Sequence, residues 1–228
     1  MDAVAVSVSA GIARGNRATW GEAFRMAAVF GLFQAVMPAI GYGAGALASL
    51  DAATRRKVQN APLKAHPESF QLDPDTDRIF VNLPDARAVA VVDGKSGNQL
   101  ASWSMDKRGN FAMAIDRDRN QLLVAFRSPP ELAAFALADG KAVTSTDICA
   151  DVDDLFVDAK RKRVYVSCGQ GYVDVLDGSG ATYKRISRIP TAAGARTSLF
   201  VPDLDCLLVA AREGLAGPAA IWMFKPVP

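Results

Sequence analysis

Short apolar stretches alternate with polar turns throughout residues 51–228, and this alternation repeats about every 43 residues. Each copy opens with an apolar stretch that ends in Asp or Pro, as in Phe70–Asp73 and Leu199–Pro202. A polar turn and a second apolar stretch follow, in which aligned valines lie 43, 42 and 43 residues apart: Val81, Val124, Val166 and Val209. The stretches are short and lack a helical period, so the pattern predicts β-strands rather than a repeat of helices.

Each repeat has room for two further strands. Third strands are predicted at Val89–Val92, Leu132–Ala136, Val173–Leu176 and Ile221–Phe224, and a more polar fourth strand at Leu100–Trp103 and Tyr183–Ile189. Four strands in about 43 residues is the size of one β-propeller blade. The predicted fold class is therefore mainly β, with a partial β-propeller of about four four-stranded blades over residues 65–228. Residues 51–64 are interpreted as a linker or as the remnant of a preceding blade.

The first fifty residues follow a different pattern. Residues 26–50 carry no charge, and as a helix they would span roughly 37 Å, enough for a hydrocarbon core of about 30 Å. Pro38 would kink such a helix, while Gly41 and Gly45 would let a second helix approach closely. We therefore predict an N-terminal α-helical hydrophobic hairpin of the membrane type over residues 1–50, with the membrane contacted by residues 23–50. A signal peptide and a buried helix of a soluble protein are the alternatives.

Charge is divided as unevenly as hydropathy. The 228 residues include 26 basic and 24 acidic ones, but only five of these precede residue 51: Asp2, Arg14, Arg17, Glu22 and Arg25. The net charge of +2 provides no field to attract nucleic acid. The single histidine, His66, excludes a multi-histidine metal cluster within one chain. Three cysteines are too few for a disulfide-built scaffold, and Cys168 and Cys206 are interpreted as small core residues.

Two stretches near the N-terminus resemble a known family. Met1–Ser7 (MDAVAVS) and Phe30–Tyr42 (FGLFQAVMPAIGY) resemble the first two membrane helices of MntP-type manganese efflux pumps, over about 48 residues. The resemblance implies a small helical membrane bundle in which Asp2 is an intramembrane carboxylate suited to Mn²⁺. The matched stretch includes neither the later helices of that family nor a second acidic helix to face Asp2, so we expect the segment to serve as an anchor.

The repeat region carries a second resemblance. Three strings, RIFVNLPDARAVAVVD, KRVYVSCGQGYVDVLD and ARTSLFVP, resemble the repeats of YVTN-type, YncE-like β-propeller proteins. The resemblance covers residues 58–228 and implies that blades precede residue 58 in that family. The resulting open arc has two exposed edges, through which we expect a protein partner or self-association. Two incomplete resemblances that meet near residues 49–58 indicate a fused or truncated chain.

Candidate ligands lie just before the inner strand of each repeat, where a propeller opens into its channel. These positions are His66, Glu68, Asn110, Asp153, Asp154, Arg196 and Ser198. Glu68, Asn110 and Asp154 come from three successive repeats, and their oxygens could converge on a divalent cation, Mn²⁺ or Ca²⁺. Gluconolactonase-like propellers use a comparable Glu, Asn and Asp set, so the resemblance in position implies a metal-dependent lactonase. A solvated polar rim without catalytic residues is the simpler interpretation.

Three functions are consistent with these patterns. A non-enzymatic propeller that binds or scaffolds an unidentified ligand behind a hydrophobic anchor is favoured, because the repeat covers about three-quarters of the chain. The alternatives are a manganese efflux transporter fragment with a propeller extension and a metal-dependent lactonase-like hydrolase at the channel. Arginines before the long apolar segment predict a membrane-associated protein with its propeller in the periplasm. A soluble periplasmic protein is the alternative location.

Overall fold

The computed structural model describes residues 45–51, 53–214 and 217–227, which form seventeen β-strands and one short 3₁₀ segment, Pro202–Leu204. The first six strands are β1 Ala46–Leu50, β2 Lys57–Pro62, β3 Phe70–Asp73, β4 Arg78–Leu83, β5 Ala88–Asp93 and β6 Gln99–Ser104. The next eight are β7 Arg108–Asp116, β8 Gln121–Ser128, β9 Pro130–Ala136, β10 Ala142–Asp147, β11 Val152–Asp158, β12 Arg163–Cys168, β13 Tyr172–Asp177 and β14 Lys184–Pro190. The last three are β15 Ser198–Val201, β16 Cys206–Ala211 and β17 Ala220–Phe224.

Five antiparallel sheets follow one another along the chain. Three have four strands each, and we call them blade 1 (β3–β6), blade 2 (β7–β10) and blade 3 (β11–β14). Blade 4 has three strands (β15–β17), and β1 pairs with β2 in a separate N-terminal hairpin. Neighbouring blades contact each other through their first strands, which form the inner layer of an arc. The mainly β, propeller-like prediction is thereby confirmed.

The arc has two ends, named by the direction of the inner strands. The entrance face is the end at which β3, β7, β11 and β15 begin, and the exit face is the end at which they finish. Every turn at the exit face that follows an inner strand contains a left-handed residue: Asp77 (φ 53°), Asn120 (φ 52°), Lys162 (φ 52°) and Asp205 (φ 50°). These four residues recur with the same period as the aligned valines, so the sequence repeat records this turn geometry as well as the apolar core.

The hydrophobic core is divided among the interfaces between successive sheets. Four clusters of buried residues fill the spaces from the hairpin to blade 1, blade 1 to blade 2, blade 2 to blade 3 and blade 3 to blade 4. One member from each side of these four interfaces gives the pairs Ala61 and Val81, Phe80 and Leu122, Leu123 and Leu155, and Tyr165 and Phe200. Burial of one large apolar side chain contributes roughly 1.5–3 kcal/mol, so each interface is a substantial part of the fold.

Polar contacts join consecutive blades at the exit face. Each involves an aspartate at or near the turn that follows an inner strand. The contacts are Arg117 to Asp73 (3.3 Å), Tyr183 to Asp116 (2.7 Å) and Arg161 to Asp205 (2.7 Å). They fix the relative position of neighbouring blades where the apolar core ends.

A disulfide joins Cys149 and Cys168, whose Cα atoms lie 5.8 Å apart. Cys149 precedes β11 and Cys168 ends β12, so the bond ties the start of the inner strand of blade 3 to its neighbouring strand. Cys168 is buried as predicted, but its pairing was not predicted, because spacing along the chain does not show which side chains meet. Cys206 is a buried free thiol, as expected for a small core residue.

The predicted membrane helix does not extend to Leu50, because Ala46–Leu50 form β1 and pair with β2. Alternate residues of β1, Leu47 and Ser49, are partly buried, as expected for a strand with one face toward the protein. The prediction failed here because a short apolar run does not by itself distinguish a strand from the end of a helix. The rest of the predicted hairpin and its pump-like sequence, residues 1–44, lie outside the described residues. Within residues 45–51, 53–214 and 217–227, no helix has the length and apolar character needed to cross a membrane.

Blade 4 differs from the prediction in register and in strand number. Val201 pairs with Cys206 as Asp158 pairs with Arg163, so Val201 rather than Pro202 takes the position of the aspartate. The sequence alignment was therefore wrong by one residue in β15. Among the described residues β17 is the last strand of this blade, so a fourth strand is absent there. In blade 2, by contrast, the polar fourth strand β10 was not named from sequence.

Candidate functional site

An alternating set of charges spans blades 2, 3 and 4 at the entrance face. Arg127, at the end of β8, donates to Asp153 at 2.6 Å and to the carbonyl oxygen of Val152 at 2.8 Å. Arg196, just before β15, donates to both carboxylate oxygens of Asp151 at 2.8 and 2.9 Å, and its Nε lies 3.5 Å from Asp153. We call Arg127, Asp151, Asp153 and Arg196 the rim cluster. All four side chains are partly exposed, so the cluster is both a contact between blades and a surface.

The guanidinium group of Arg127 also lies over an aromatic ring. Its central carbon is 3.7 Å from the centroid of Phe111, which belongs to the inner strand β7. Stacking on the ring fixes the guanidinium plane while leaving its edge directed at Asp153. Arg127 is therefore positioned by the inner strand β7 as well as by its own strand β8.

Asp154 lies next to the rim cluster and serves as a link between blades 3 and 4. Its Oδ2 accepts the backbone N–H of Ser198 at 2.6 Å, and the hydroxyl of Ser198 lies 2.7 Å from that of Ser167. Burial raises the pKa of Asp154 to about 6, the hydrogen bond from Ser198 opposes this rise, and the charge of Asp153 adds to it. The proton affinity of Asp154 therefore depends on the packing of blade 3 against blade 4.

Asn110 links blades 1 and 2 and is fully buried. Its amide nitrogen donates to Asn82 Oδ1 at 3.1 Å and to the carbonyl oxygen of Ala88 at 2.9 Å. Asn82 in turn donates to Ser69 at 3.0 Å and to the carbonyl oxygen of Phe111 at 3.1 Å. The Asn110 Oδ1 atom is buried without a hydrogen-bond partner among the described residues. The amide thus belongs to a buried polar network rather than to the open rim.

The predicted site residues are brought to one face but not into one pocket. His66 is exposed, Glu68 is partly buried with its backbone N–H on the carbonyl oxygen of Asn82, and Arg196 belongs to the rim cluster. In the described part of the chain, no three His, Cys, Asp or Glu side chains gather as a group that could hold a metal ion. The cation site of Glu68, Asn110 and Asp154 stays a prediction, as does the pump-like role of Asp2, which lies outside the described residues.

Sequence reasoning missed Arg127 and Asp151. Arg127 lies near the end of β8 and Asp151 directly before β11, at the same face as the residues that were named. Arg127 and Asp151 come within reach of Asp153 and Arg196 only because the ends of strands from three blades meet at this face. The sequence repeat does not place a charge of one sign at the positions of Arg127 and Asp151, so it gave no signal for them.

A second concave region lies at the exit face between blades 2 and 3. It is an open cleft of about 480 Å³ with charged and glycine-rich walls, including Asp118, Arg119, Lys162 and Gly178. Arg119 donates to the carbonyl oxygens of Gly178, Gly180 and Ala181 at 2.6–2.8 Å. Because this arginine is committed to the turn of blade 3, the cleft is a less suitable site than the rim cluster.

Comparison with known proteins defines the fold class. No family model and no curated protein matches the chain. Among solved structures, hydrazine synthase of Kuenenia stuttgartiensis is similar with a TM-score of 0.64 at 15% identity, covering 72% of this chain and 49% of that one. A chain of a mitotic checkpoint complex gives a TM-score of 0.68 at 16% identity, covering 80% of this chain and 57% of that one. A candidate 6-phosphogluconolactonase from Bacteroides uniformis gives 0.66 at 14%, covering 81% and 61%.

These similarities concern the fold, because the sequence identities are low. The chain spans about half to three-fifths of the length of the three matched structures. Together with the four consecutive blades and the inner layer of first strands, they define a β-propeller-like protein. The activities of the matched proteins differ, so the fold alone does not assign one to this chain.

Proposed function

We propose that this protein is a non-enzymatic scaffold, a YVTN/YncE-like propeller that binds a partner protein at its entrance face. The observation that carries the proposal is the engagement of the polar entrance residues in contacts between blades. Asn110 ties the inner strand of blade 2 to β4 and β5 of blade 1. Asp154 joins the inner strands of blades 3 and 4, and Arg127 bridges blades 2 and 3. At the partly exposed rim, side chains held by such contacts between blades form a polar surface of fixed geometry, which suits recognition better than proton transfer or nucleophilic attack.

The rim cluster supplies the recognition chemistry in this proposal. It presents two guanidinium groups and two carboxylates in alternation, on or directly beside the ends of strands β8, β11 and β15. Arginines held in a fixed orientation are frequent at protein interfaces, and alternating charge selects a partner of complementary pattern. The membership of one structural neighbour in a multi-protein complex agrees with this kind of role.

The proposed location is outside the cytoplasm, with the apolar segment before β1 as a membrane anchor. The Cys149–Cys168 disulfide supports this location, because such bonds persist in oxidising compartments. Titration of thiols in the unfolded protein, isolated with its native redox state preserved, should detect one thiol per chain, from Cys206. Three thiols would contradict the proposed location.

Site-specific photo-crosslinking in cells tests the scaffold. A photoreactive phenylalanine analogue at the exposed Ala193, in the loop before β15 at the entrance face, should give a discrete adduct with one protein. The same analogue at the exposed Ser187, on the outer strand β14, is the matched control and should give none. Substitution of Asp151 and Arg196 by alanine should abolish the Ala193 adduct. Equal labelling from both positions, or none from Ala193, would contradict the proposal.

A lactonase-like hydrolase is the second candidate, favoured by similarity to the candidate 6-phosphogluconolactonase. Under the scaffold proposal, the purified chain should hydrolyse 6-phosphogluconolactone no faster than buffer does, with or without Mn²⁺ or Ca²⁺. Turnover that falls at least tenfold in both Glu68→Ala and Asp154→Ala would instead establish the hydrolase. A fold-preserving control, Glu213→Ala at an exposed loop position, should leave any such turnover unchanged.

A further inference from the structure

Blade 4 carries an exposed apolar face on the side away from blade 3. Leu199, Leu208 and Met223 lie directly opposite one another across its three strands, and Ile221 extends the row. Leu199 is 53% exposed, Met223 62% and Ile221 66%. The other side of the blade, which includes Phe200, is packed against blade 3.

The same row exists in blade 3, where it is covered. Phe156, Tyr165 and Val175 lie opposite one another in the register that Leu199, Leu208 and Met223 repeat in blade 4. In blade 3 these residues form part of the core shared with blade 4. The exposed face of blade 4 therefore has the chemistry and the register of an interface between blades.

The N-terminal hairpin exposes the second of the two faces that meet wherever neighbouring blades pack together. Residues Ala48 and Leu50 of β1 are exposed and repeat the positions of Ala90 and Val92 in β5. Ala90 and Val92 are buried in the cluster between blade 1 and the hairpin. Within the arc, the face represented by Tyr165 always meets the face represented by Ala90, so the two ends of the described arc are complementary in kind.

We propose that the exposed face of blade 4 docks the N-terminal hairpin of a second copy of this chain, head to tail. Two such contacts, related by a twofold axis along the centre of the arc, close a ring. One copy matches 49–61% of the length of the structural neighbours, which is the fraction that such a half-ring requires. The proposal goes beyond the scaffold function, because it holds whichever ligand the entrance face binds.

Charge at the exit face supports the same pairing. Within the arc, the Asp118–Arg119 turn of blade 2 reaches the 178–181 turn of blade 3. Counted back from the left-handed residue of each turn, Asp118 corresponds to Asp203 in blade 4 and Arg119 to the exposed Leu204. The equivalent turn in the hairpin leads into Arg55, Arg56 and Lys57. Docking therefore sets an exposed carboxylate beside three exposed cations. It also buries the apolar ends that would otherwise invite uncontrolled association.

Mass measurement of the purified full chain tests the dimer. Light scattering or native mass spectrometry should give twice the 24.2 kDa chain mass. Met223→Lys places a charge on the exposed face and should weaken the dimer at least tenfold. Ile186→Lys is the matched control, because Ile186 is also a large apolar side chain that is at least half exposed but lies on the outer strand β14. Circular dichroism confirms that both variants remain folded.

Cross-linking tests the orientation. Met223→Cys and Leu50→Cys chains, mixed and oxidised, should yield a mixed disulfide dimer, whereas Met223→Cys alone should yield none. Weak specific interfaces are populated at roughly 100 micromolar protein. A full chain that is monomeric at about this concentration would overturn the proposal. A dimer that survives Met223→Lys, or that cross-links Met223→Cys to itself, would overturn it as well.

Discussion

Lys162 occupies a backbone conformation that suits asparagine or aspartate better than lysine. The three equivalent turns use Asp77, Asn120 and Asp205, all with φ near 50°. A left-handed conformation costs a residue with an ordinary side chain about 1 kcal/mol, and less for asparagine. Lys162→Asn should therefore raise the free energy of unfolding by roughly 0.5–1 kcal/mol in urea titrations. The reverse exchange, Asn120→Lys, should lower it by a similar amount, and equal effects of one sign would contradict the explanation.

Asp154 gives the fold a specific dependence on pH. Because its folded-state pKa of about 6 lies above the ordinary value of 3.8, the folded chain binds the proton more tightly than the unfolded chain. Ionisation therefore opposes folding: the penalty is absent below about pH 4, grows between about pH 4 and 6, and is complete above that range. Asp154→Asn should raise the free energy of unfolding by roughly 1–3 kcal/mol more at pH 7.5 than at pH 4.

Asp153 provides the contrast for that experiment. Its carboxylate pairs with Arg127 at 2.6 Å, so Asp153→Asn removes a favourable charge and should lower stability at pH 7.5. Adjacent aspartates are thus expected to change stability in opposite directions. A gain from Asp153→Asn, or no pH dependence for Asp154→Asn, would contradict the roles given to them.

At the scale of the strands, close contacts between turns and neighbouring blades favour glycine at particular turn positions. Gly140, in the turn between β9 and β10, has φ +73°, and a Cβ there would lie 2.2 Å from the Trp103 ring of blade 1. Gly97, the equivalent glycine of blade 1, would meet the movable side chain of Gln59 at 2.5 Å. Gly140→Ala should therefore cost at least about 2 kcal/mol in chemical denaturation, and Gly97→Ala less.

The sequence predicted most strands because their apolar residues recur with a fixed period. It failed where that signal weakened: β10 is largely polar, and the apolar residues of β1 merge into a longer uncharged run. The inner strand of blade 4 was misaligned because Leu199, Phe200 and Val201 are all apolar, and only pairing with β16 fixes which one faces blade 3. Local composition thus determines the kind of element more firmly than its register.

At the scale of the molecule, the sequence predicted where the candidate site lies but not which residues contact each other there. Register along the repeat placed Asp154 and Arg196 at the entrance face. The partners of these residues come from other blades, as when Asp154 binds the N–H of Ser198, 44 residues away. No local pattern encodes such a distance, and a polar residue beside a channel can equally serve a ligand or a neighbouring blade.

The division of the core among interfaces between successive sheets affects the cooperativity of unfolding. Each sheet is stabilised only by its nearest neighbours, so the free energy of local opening should fall toward the ends of the arc. Amide hydrogen exchange should be slowest in β8 and β12 and fastest in β1 and β17 at low protein concentration. Association of two chains would remove the ends, so protection of β17 should then rise with concentration while that of β8 stays constant.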